Sequence, residues 1–124
     1  MKRGIVVFAH GSRIEAANEA VRLVAAELAL RGGFEHVEAA FLELGEPSLE
    51  GAVVRLAARG VSEILIVPYF LTLGIHLERD LPKIAERIAQ EHPGIAIRIA
   101  PPLDGHPALA GILLDRVRAA GYTG

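Results

Sequence analysis

Four short runs of apolar residues, each followed by a longer amphipathic stretch, set the organisation of the chain. The runs cover about Gly4–Ala9, Val37–Leu42, Ile64–Val67 and Ile95–Ala100, and each has the length of a strand. Runs that are almost entirely apolar are typical of parallel strands covered on both faces. The pattern therefore predicts repeats of a strand followed by a helix.

The stretches between the apolar runs have helical spacing. The first helix is expected from about Ile14 to Arg31, and its predicted inner face contains Ala17, Val21, Val24 and Leu28. The second is expected to begin after a cap at Ser48 and to end at Gly60. Its predicted inner residues are Leu49, Val53, Leu56 and Ala57.

The third helix is predicted to begin only at a cap on Asp80, which makes the preceding residues 69–76 a long loop. Pro82 would then lie in the first turn, where proline is tolerated. The inner face of this helix would contain Leu81, Ile84 and Ile88. A fourth helix is expected from near Pro107 to Ala120.

Alternation of strands with helices predicts an α/β fold, with one four-stranded parallel sheet and helices on both faces. The expected strand order is 2-1-3-4, as in flavodoxin-like proteins, with the topological switch point between strands one and three. A length of 124 residues predicts a single domain over residues 1–124.

Composition excludes several classes of function. The net charge is −2 and the charges are interspersed, which argues against a nucleic-acid-binding surface. No apolar run has the roughly 18 residues that a membrane span requires, and Met1-Lys2-Arg3 leads directly into a strand, so we expect a cytoplasmic protein. The absence of cysteine excludes disulfides, thiolate metal ligands and a cysteine-held iron–sulfur cluster.

A polar cluster, His10-Gly11-Ser12-Arg13, follows the first predicted strand directly. Imidazole is a metal ligand or a general base, and Gly11 allows a ligand to approach the backbone. Ser12 and Arg13 suit an anion at a helix N-terminus. The alternative is a capped helix start with a solvated histidine.

A second histidine, His76, belongs to the apolar connection after strand three. The predicted order places this connection and the one after strand one on the two sides of the same crevice, so His10 and His76 are expected to be neighbours. The large apolar residues of the connection are either ordinary core, a pocket wall or a dimer surface: Tyr69, Phe70, Leu71, Leu73 and Ile75.

Glu43 and Arg79 complete the candidate residues. Glu43 ends strand two at the same edge of the sheet, either as a carboxylate near a metal, as a proton acceptor or as a solvated strand end. Arg79 and Lys83 either contact an acidic substrate or belong to a solvated helix start. His36 and His92 are interpreted as residues without a ligand-binding role.

The sequence resembles the CbiX family of sirohydrochlorin chelatases, in its short, single-lobe form. The resemblance rests on Val7–Arg13, Ala40–Glu43, Val67–Leu71, Gly74–His76 and Asp80–Pro82. It extends over essentially the whole chain and preserves the order of the motifs. It implies a chelatase-type α/β fold and an enzyme that inserts a divalent metal into a tetrapyrrole.

The resemblance also implies roles for individual residues. His10 and His76 match the paired metal-binding histidines of the family, and Glu43 matches the carboxylate beside them. Either a histidine or Glu43 would accept a pyrrole proton. Ser12, Arg13 and Arg79 would bind substrate carboxylates, and a further set would face the macrocycle: Tyr69, Phe70, Leu71, Leu73, Gly74 and Ile75.

The resemblance favours cobalt as the metal, while ferrous iron and nickel also suit imidazole ligands. A single-lobe chain would complete its cleft as a homodimer. No ATP is expected because the chain has no Gly-rich Walker loop. Two alternatives stay open: a non-catalytic metal or tetrapyrrole carrier, and a histidine-phosphatase-like hydrolase, which would need Arg where Ala9 stands.

Overall fold

A four-stranded parallel sheet forms the centre of the computed structural model, which describes residues 2–122. The order β2-β1-β3-β4 and the parallel pairing confirm the predicted topology. The predicted single domain over residues 1–124 includes Met1 and residues 123–124, which lie outside the described residues. The strands are β1 (Lys2–Ala9), β2 (Val37–Phe41), β3 (Val61–Pro68) and β4 (Ala96–Ile99).

Four helices follow the strands: α1 (Glu15–Gly32), α2 (Leu49–Ala58), α3 (Gly74–Glu91) and α4 (Ala108–Ala119). Helices α2 and α3 pack on one face of the sheet, against Val6, Phe8 and Ile66. Helix α1 packs on the other face, against Val7 and Ala9. Alternate residues of β1 therefore serve two separate cores, as the period of two in a strand requires.

Helix α3 begins six residues before the predicted cap at Asp80. Its N-terminal residue is Gly74, and Leu73 precedes it without a side-chain cap. The prediction was wrong because Leu77 packs against the core and stabilises a turn that has no capping signal in the sequence. His76 therefore lies in the first turn of a helix, not in a loop, and Pro82 lies inside the helix.

The inner face of α1 is rotated by about one residue from the predicted one. Asn18 and Ala25 are buried, whereas the predicted Ala17 and Val24 are exposed. The predicted inner face was wrong because the polar residue Asn18 points inward. A helix face chosen from the apolar residues alone is therefore rotated away from the buried one. The predicted faces of α2 and α3 are largely confirmed, since Leu56 and Leu81 are both buried.

Helix α4 has the predicted position in the chain but does not cover the sheet. None of its residues from Ala108 to Ala119 is buried. Within the described range 2–122, no helix is long and apolar enough to cross a membrane.

The predicted cap at Ser48 is present, and its Oγ accepts a hydrogen bond of 3.1 Å from the Gly51 N–H. We expect Ser48→Ala to lower the free energy of unfolding by about 1 kcal/mol, because that N–H loses its partner. Ser48→Asp, which keeps an acceptor, should lose much less. Urea titration followed by circular dichroism measures both, and equal losses in the two variants would contradict the capping role.

Candidate metal and substrate site

The candidate residues lie where β1, β2 and β3 end, at one edge of the sheet. His10 follows β1, Glu43 follows β2, and residues 69–76 follow β3. Since all the strands are parallel, their carboxyl ends share this edge, and β1 and β3 are neighbours there. The sheet order therefore brings together the connections that sequence analysis singled out.

The connections after β1 and β2 are joined by backbone hydrogen bonds beyond the strand ends. The Leu42 N–H donates to the Ala9 carbonyl over 2.9 Å, and the Glu43 N–H donates to the His10 carbonyl over 3.1 Å. Gly11 makes this approach possible, because a Cβ at that position would lie 1.7 Å from the Glu43 carbonyl oxygen. Its φ of +96° also favours glycine.

The backbone hydrogen bonds between these two connections hold the His10 and Glu43 side chains in direct contact. His10 Nε2 lies 3.0 Å from Glu43 Oε1, and both side chains are more than half exposed to solvent. A nitrogen and an oxygen 3.0 Å apart can both coordinate one metal ion. Each would then lie at roughly 2.0–2.2 Å from the ion, the distance that zinc keeps from imidazole and carboxylate ligands. A divalent ion can therefore replace the proton shared by the pair.

Phe70 packs against the same histidine. Its ring is edge-on to His10 with centroids 6.4 Å apart, and edge-on to the buried Phe8 with centroids 5.9 Å apart. Phe70 is half-buried and belongs to the core on the α2–α3 face. The ring thus links the imidazole to the core, so it supports His10 in addition to any contact with a ligand.

His76 is exposed in the first turn of α3 and is bonded to Arg79 one turn later. Arg79 Nη2 lies 3.3 Å from His76 Nδ1, and since guanidinium only donates, this nitrogen is the acceptor. Among the described residues, His76 does not join His10 and Glu43 in a cluster whose ligand atoms all lie within 4.8 Å of one another. The joint metal site of the two histidines stays a prediction.

Sequence analysis missed Asn18, which is the one polar residue buried among residues 2–122. Its Oδ1 accepts from the Ser12 N–H over 2.9 Å, and its Nδ2 donates to the Ser12 carbonyl over 2.9 Å and to the Leu44 carbonyl over 3.0 Å. The side chain therefore ties the loop after His10 to the loop after Glu43. The feature of the sequence that could have drawn attention to Asn18 is that it is the only asparagine in the chain.

Arg22 makes a second connection between α1 and the loop after β2. It bonds Glu15 over 2.7 Å and the Glu46 carbonyl over 3.0 Å, and its guanidinium lies 5.3 Å from the centre of the Phe41 ring. The hydrogen bond from Arg22 holds the pKa of the Glu15 carboxyl below its ordinary value. The start of α1 is thus fixed against the segment that carries Glu43.

The remaining predicted residues fall into two groups. Ser12 acts locally, because its Oγ accepts a hydrogen bond of 3.0 Å from the Ile14 N–H, and Leu73 is half-buried. The others expose their side chains or, for glycine, their backbone at this edge of the sheet: Arg13, Tyr69, Leu71, Gly74, Ile75 and Arg79. Leu71 and Ile75 are 74% and 79% exposed, and they lie on either side of the start of α3.

A different cluster of metal-ligand atoms involves Glu50, Glu91 and His92, whose side chains approach within 4.8 Å of one another. His92 Nε2 lies 3.2 Å from Glu50 Oε2. This hydrogen bond is the main reason that the pKa of Glu50 is lowered. The cluster joins the start of α2 to the end of α3, and the hydrogen bond between His92 and Glu50 gives it a structural role.

The CbiX family model matches residues 4–120 of this chain. Sirohydrochlorin cobaltochelatases of Methanopyrus kandleri and Sulfurisphaera tokodaii are 32% and 38% identical to it, and the alignments cover 94% and 92% of this chain and 95% and 90% of theirs. The chloroplastic sirohydrochlorin ferrochelatase of Arabidopsis thaliana is 31% identical, over 93% of this chain and 51% of its own.

Solved structures match at the level of the whole fold. A cobalamin (vitamin B12) biosynthesis CbiX protein from Marinobacter aquaeolei superposes with a TM-score of 0.82 at 35% identity, covering 95% of this chain and 96% of that one. The sirohydrochlorin chelatase SirB from Bacillus subtilis subspecies spizizenii, in complex with cobalt, gives 0.87 at 26% identity. There the match covers 96% of this chain and 51% of SirB.

Asn18→Leu tests whether Asn18 joins the two loops. We expect the free energy of unfolding to fall by about 3 kcal/mol, because the backbone groups of Ser12 and Leu44 lose their partners. Asn18→Asp keeps the acceptor for the Ser12 N–H and should lose less. Urea denaturation provides the measurement, and a loss below about 1 kcal/mol in Asn18→Leu would show that the loops do not depend on this side chain.

Proposed function

Because this chain belongs to the CbiX family, we propose that it is a sirohydrochlorin chelatase, an enzyme that inserts a divalent metal ion into sirohydrochlorin for cobalamin or siroheme biosynthesis. The main observation that supports this proposal is the contact of 3.0 Å between His10 Nε2 and Glu43 Oε1, at the edge of the sheet where the strands end. Cobalt is the favoured metal, since the relatives aligned over nearly their whole length are named cobaltochelatases. Iron and nickel are the alternatives.

The metal is a substrate in this reaction, and His10 and Glu43 are proposed to receive it. Binding at His10 Nε2 requires a free lone pair, so the proton between the imidazole and the carboxylate must leave first. Nitrogen and oxygen donors suit a temporary site, because no thiolate is present to hold a late transition metal tightly. The metal is then passed to the pyrrole nitrogens.

Insertion exchanges one divalent ion for two pyrrole N–H protons, which must leave the macrocycle. Once the metal departs, the Glu43 carboxylate and the His10 imidazole are free to accept protons. Both side chains are more than half exposed, so they can release those protons to water. The same pair thus serves as metal ligand and as proton acceptor, in that order. No group requiring ATP enters this scheme.

Arg79 is proposed to connect substrate binding with the availability of His76. In the free protein, the guanidinium occupies the Nδ1 lone pair of His76 at 3.3 Å. A substrate carboxylate forms a stronger, charge-assisted pair with Arg79 and would draw it away from the imidazole. His76 then becomes a metal ligand at the moment when the macrocycle is in place.

The exposed apolar side chains beside His76 are suited to one face of the macrocycle. Leu71 and Ile75 are the most exposed of them, and Tyr69 is 39% exposed. Burying such groups against a flat aromatic ligand is favourable. Arg13, also exposed at this edge, is available for a further carboxylate.

A homodimer is part of the proposal. This chain spans about half the length of SirB, to which it is similar in fold. Two copies would together match the length of one SirB chain. The cytoplasmic location expected from the sequence stays a prediction.

A carrier would use the same residues without turnover, so catalysis distinguishes the two functions. We expect substoichiometric wild-type protein to accelerate anaerobic metallation of sirohydrochlorin by cobalt, followed by absorbance. His10→Ala and Glu43→Gln should each lower kcat/KM at least 100-fold, which is about 2.7 kcal/mol of transition-state stabilisation. His76→Ala should lower it at least 10-fold.

His92→Gln is the matched control, because His92 is a histidine bonded to a glutamate outside the candidate site. It should leave kcat/KM within a factor of two or so of wild type. Acceleration only at stoichiometric protein would support a carrier instead of an enzyme. Full activity in His10→Ala would remove the proposed site.

Arg79→Met tests the proposed link between Arg79 and His76. The affinity of the substrate-free protein for cobalt should rise about threefold to tenfold, because His76 Nδ1 loses a competing donor and a nearby positive charge. The affinity for sirohydrochlorin should fall. Isothermal titration measures both, and an unchanged cobalt affinity would contradict the link. In a His76→Ala background, the same substitution should leave cobalt affinity nearly unchanged.

A further inference from the structure

Leu44 combines backbone strain with exposed apolar surface. Its φ is +58°, and among residues 2–122 it is the one non-glycine residue with a positive φ. In this left-handed region the Cβ of an ordinary residue lies too close to the following carbonyl oxygen. The residue is also 51% exposed, so the side chain gains little from burial in the fold. Both features call for an explanation at this position.

The path of the loop after β2 accounts for the backbone conformation of Leu44. The buried Asn18 donates from its Nδ2 to the Leu44 carbonyl over 3.0 Å. Gly45 follows without room for a side chain, because a Cβ there would lie 2.8 Å from a ring carbon of Phe41 and 3.1 Å from Asn18 Nδ2. These contacts use only the backbone of residues 44 and 45. Glycine or asparagine at position 44 would satisfy them with less strain.

The leucine side chain itself is not explained by the packing of the fold. In the described part of the chain, Leu44 belongs to neither of the two hydrophobic cores that cover the faces of the sheet. Residues held in sparsely populated backbone conformations cluster at ligand-binding sites. Leu44 therefore offers apolar surface that a ligand, and not the core, would bury.

The position of Leu44 identifies that ligand, because it directly follows Glu43. During insertion the metal passes from Glu43 and His10 to the nitrogens at the centre of the macrocycle, so this centre must come against the Glu43 carboxylate. The Cα atoms of residues 43 and 44 are about 3.8 Å apart. A tetrapyrrole extends farther than this from its centre, and its outer part therefore reaches the neighbours of Glu43.

Of the two neighbours of Glu43, Leu44 is the one available to the substrate. Leu42 lines a small cavity on the α2–α3 side of the sheet, together with Leu49 and Ile88. It is also the less exposed of the two, at 40% against 51% for Leu44. The exposed leucine beside the metal ligand is thus the strained one.

We propose that Leu44 is a substrate-binding residue, whose side chain contacts the macrocycle from the β2 side while the metal is transferred. Leu71 and Ile75 offer apolar surface from the segment after β3. The connection that carries His10 lies between these two segments, because β1 lies between β2 and β3 in the sheet. The macrocycle is then held by apolar contacts on both sides of the metal ligands. The inference rests on the proposed function and adds one contact to the same substrate.

Three substitutions separate the side chain from the backbone strain. Leu44→Asn accepts a positive φ more readily and replaces the apolar side chain with a polar one. Leu44→Ala keeps the strain and removes most of the side chain, whereas Leu44→Met keeps an apolar side chain of similar volume. Leu30→Asn is the matched control, because Leu30 is an 80% exposed leucine on α1, outside the loops of the site.

Metallation kinetics with cobalt and sirohydrochlorin measure the contact. Leu44→Asn and Leu44→Ala should each raise the KM for sirohydrochlorin about tenfold, because the macrocycle loses an apolar partner. Their kcat should stay within about twofold of wild type, as expected when a contact is equally strong in the ground state and the transition state. Leu44→Met should stay within about threefold of wild type in KM, and Leu30→Asn should match wild type. An unchanged KM in Leu44→Asn would overturn the proposal.

Two further measurements test whether the leucine acts on the substrate or through the fold. The affinity of the substrate-free protein for cobalt should stay within about twofold of wild type in all the Leu44 variants, since the side chain does not touch the metal. A loss of cobalt affinity as large as the rise in KM would show that Leu44 acts through Glu43, and would overturn the proposal. The thermal midpoint of Leu44→Asn should equal or exceed that of wild type. A fall of more than about 3 °C would assign the leucine to the fold instead.

Titration of metal-free sirohydrochlorin, followed by its fluorescence, distinguishes failure of this inference from failure of the proposed function. Wild type should bind the tetrapyrrole, and Leu44→Asn should bind it about tenfold more weakly. If wild type binds and metallates sirohydrochlorin and Leu44→Asn does so equally well, the contact is overturned and the proposed function stands. If wild type neither binds nor metallates it, both are overturned.

Discussion

Two backbone hydrogen bonds beyond the ends of β1 and β2 determine the geometry of the site. They pair the Ala9 and His10 carbonyls with the N–H groups of Leu42 and Glu43, and they require glycine at position 11 because any Cβ there would overlap the Glu43 carbonyl. Asn18 of α1 connects the same two loops, since its side chain bonds the backbone of Ser12 and of Leu44. With the loops fixed in this way, the 3.0 Å contact between the His10 and Glu43 side chains follows from the fold.

The site has a second part that is held differently. His76 and Arg79 lie in the first turns of α3, an exposed segment beyond β3 whose start has no side-chain cap. The rigid part suits a metal ligand pair that must be ready before the substrate arrives. The α3 part suits the proposed rearrangement, in which a substrate carboxylate draws Arg79 away from His76. A chelatase needs both, because the metal must first be held and then released to the macrocycle.

Much of this arrangement could be predicted from the sequence, because strand and helix periodicities determine the topology. The predicted order 2-1-3-4 already places His10 and Glu43 at one edge of the sheet. The start of α3 could not be predicted, since Leu77 stabilises it through tertiary packing without a local signal. The predicted inner face of α1 was wrong because Asn18 points inward, where it bonds the backbone of Leu44 in a loop distant in sequence.

The exposure of α4 was also beyond the sequence pattern. Apolar residues at helical spacing predict a covered helix, whereas none of the α4 residues from Ala108 to Ala119 is buried. The half-buried state of Leu65 and Val67 in β3 likewise becomes visible only when the two faces of the sheet are compared.

The most direct test of the proposed metal site is the position of cobalt in the substrate-free protein, determined by anomalous diffraction from crystals soaked in cobalt(II). We expect one ion bound by His10 Nε2 and a Glu43 oxygen, at about 2.0–2.2 Å from each. The same experiment on Glu43→Gln should show that ion weakened or lost. Cobalt bound only at Glu50, Glu91 and His92, with none at His10, would contradict it.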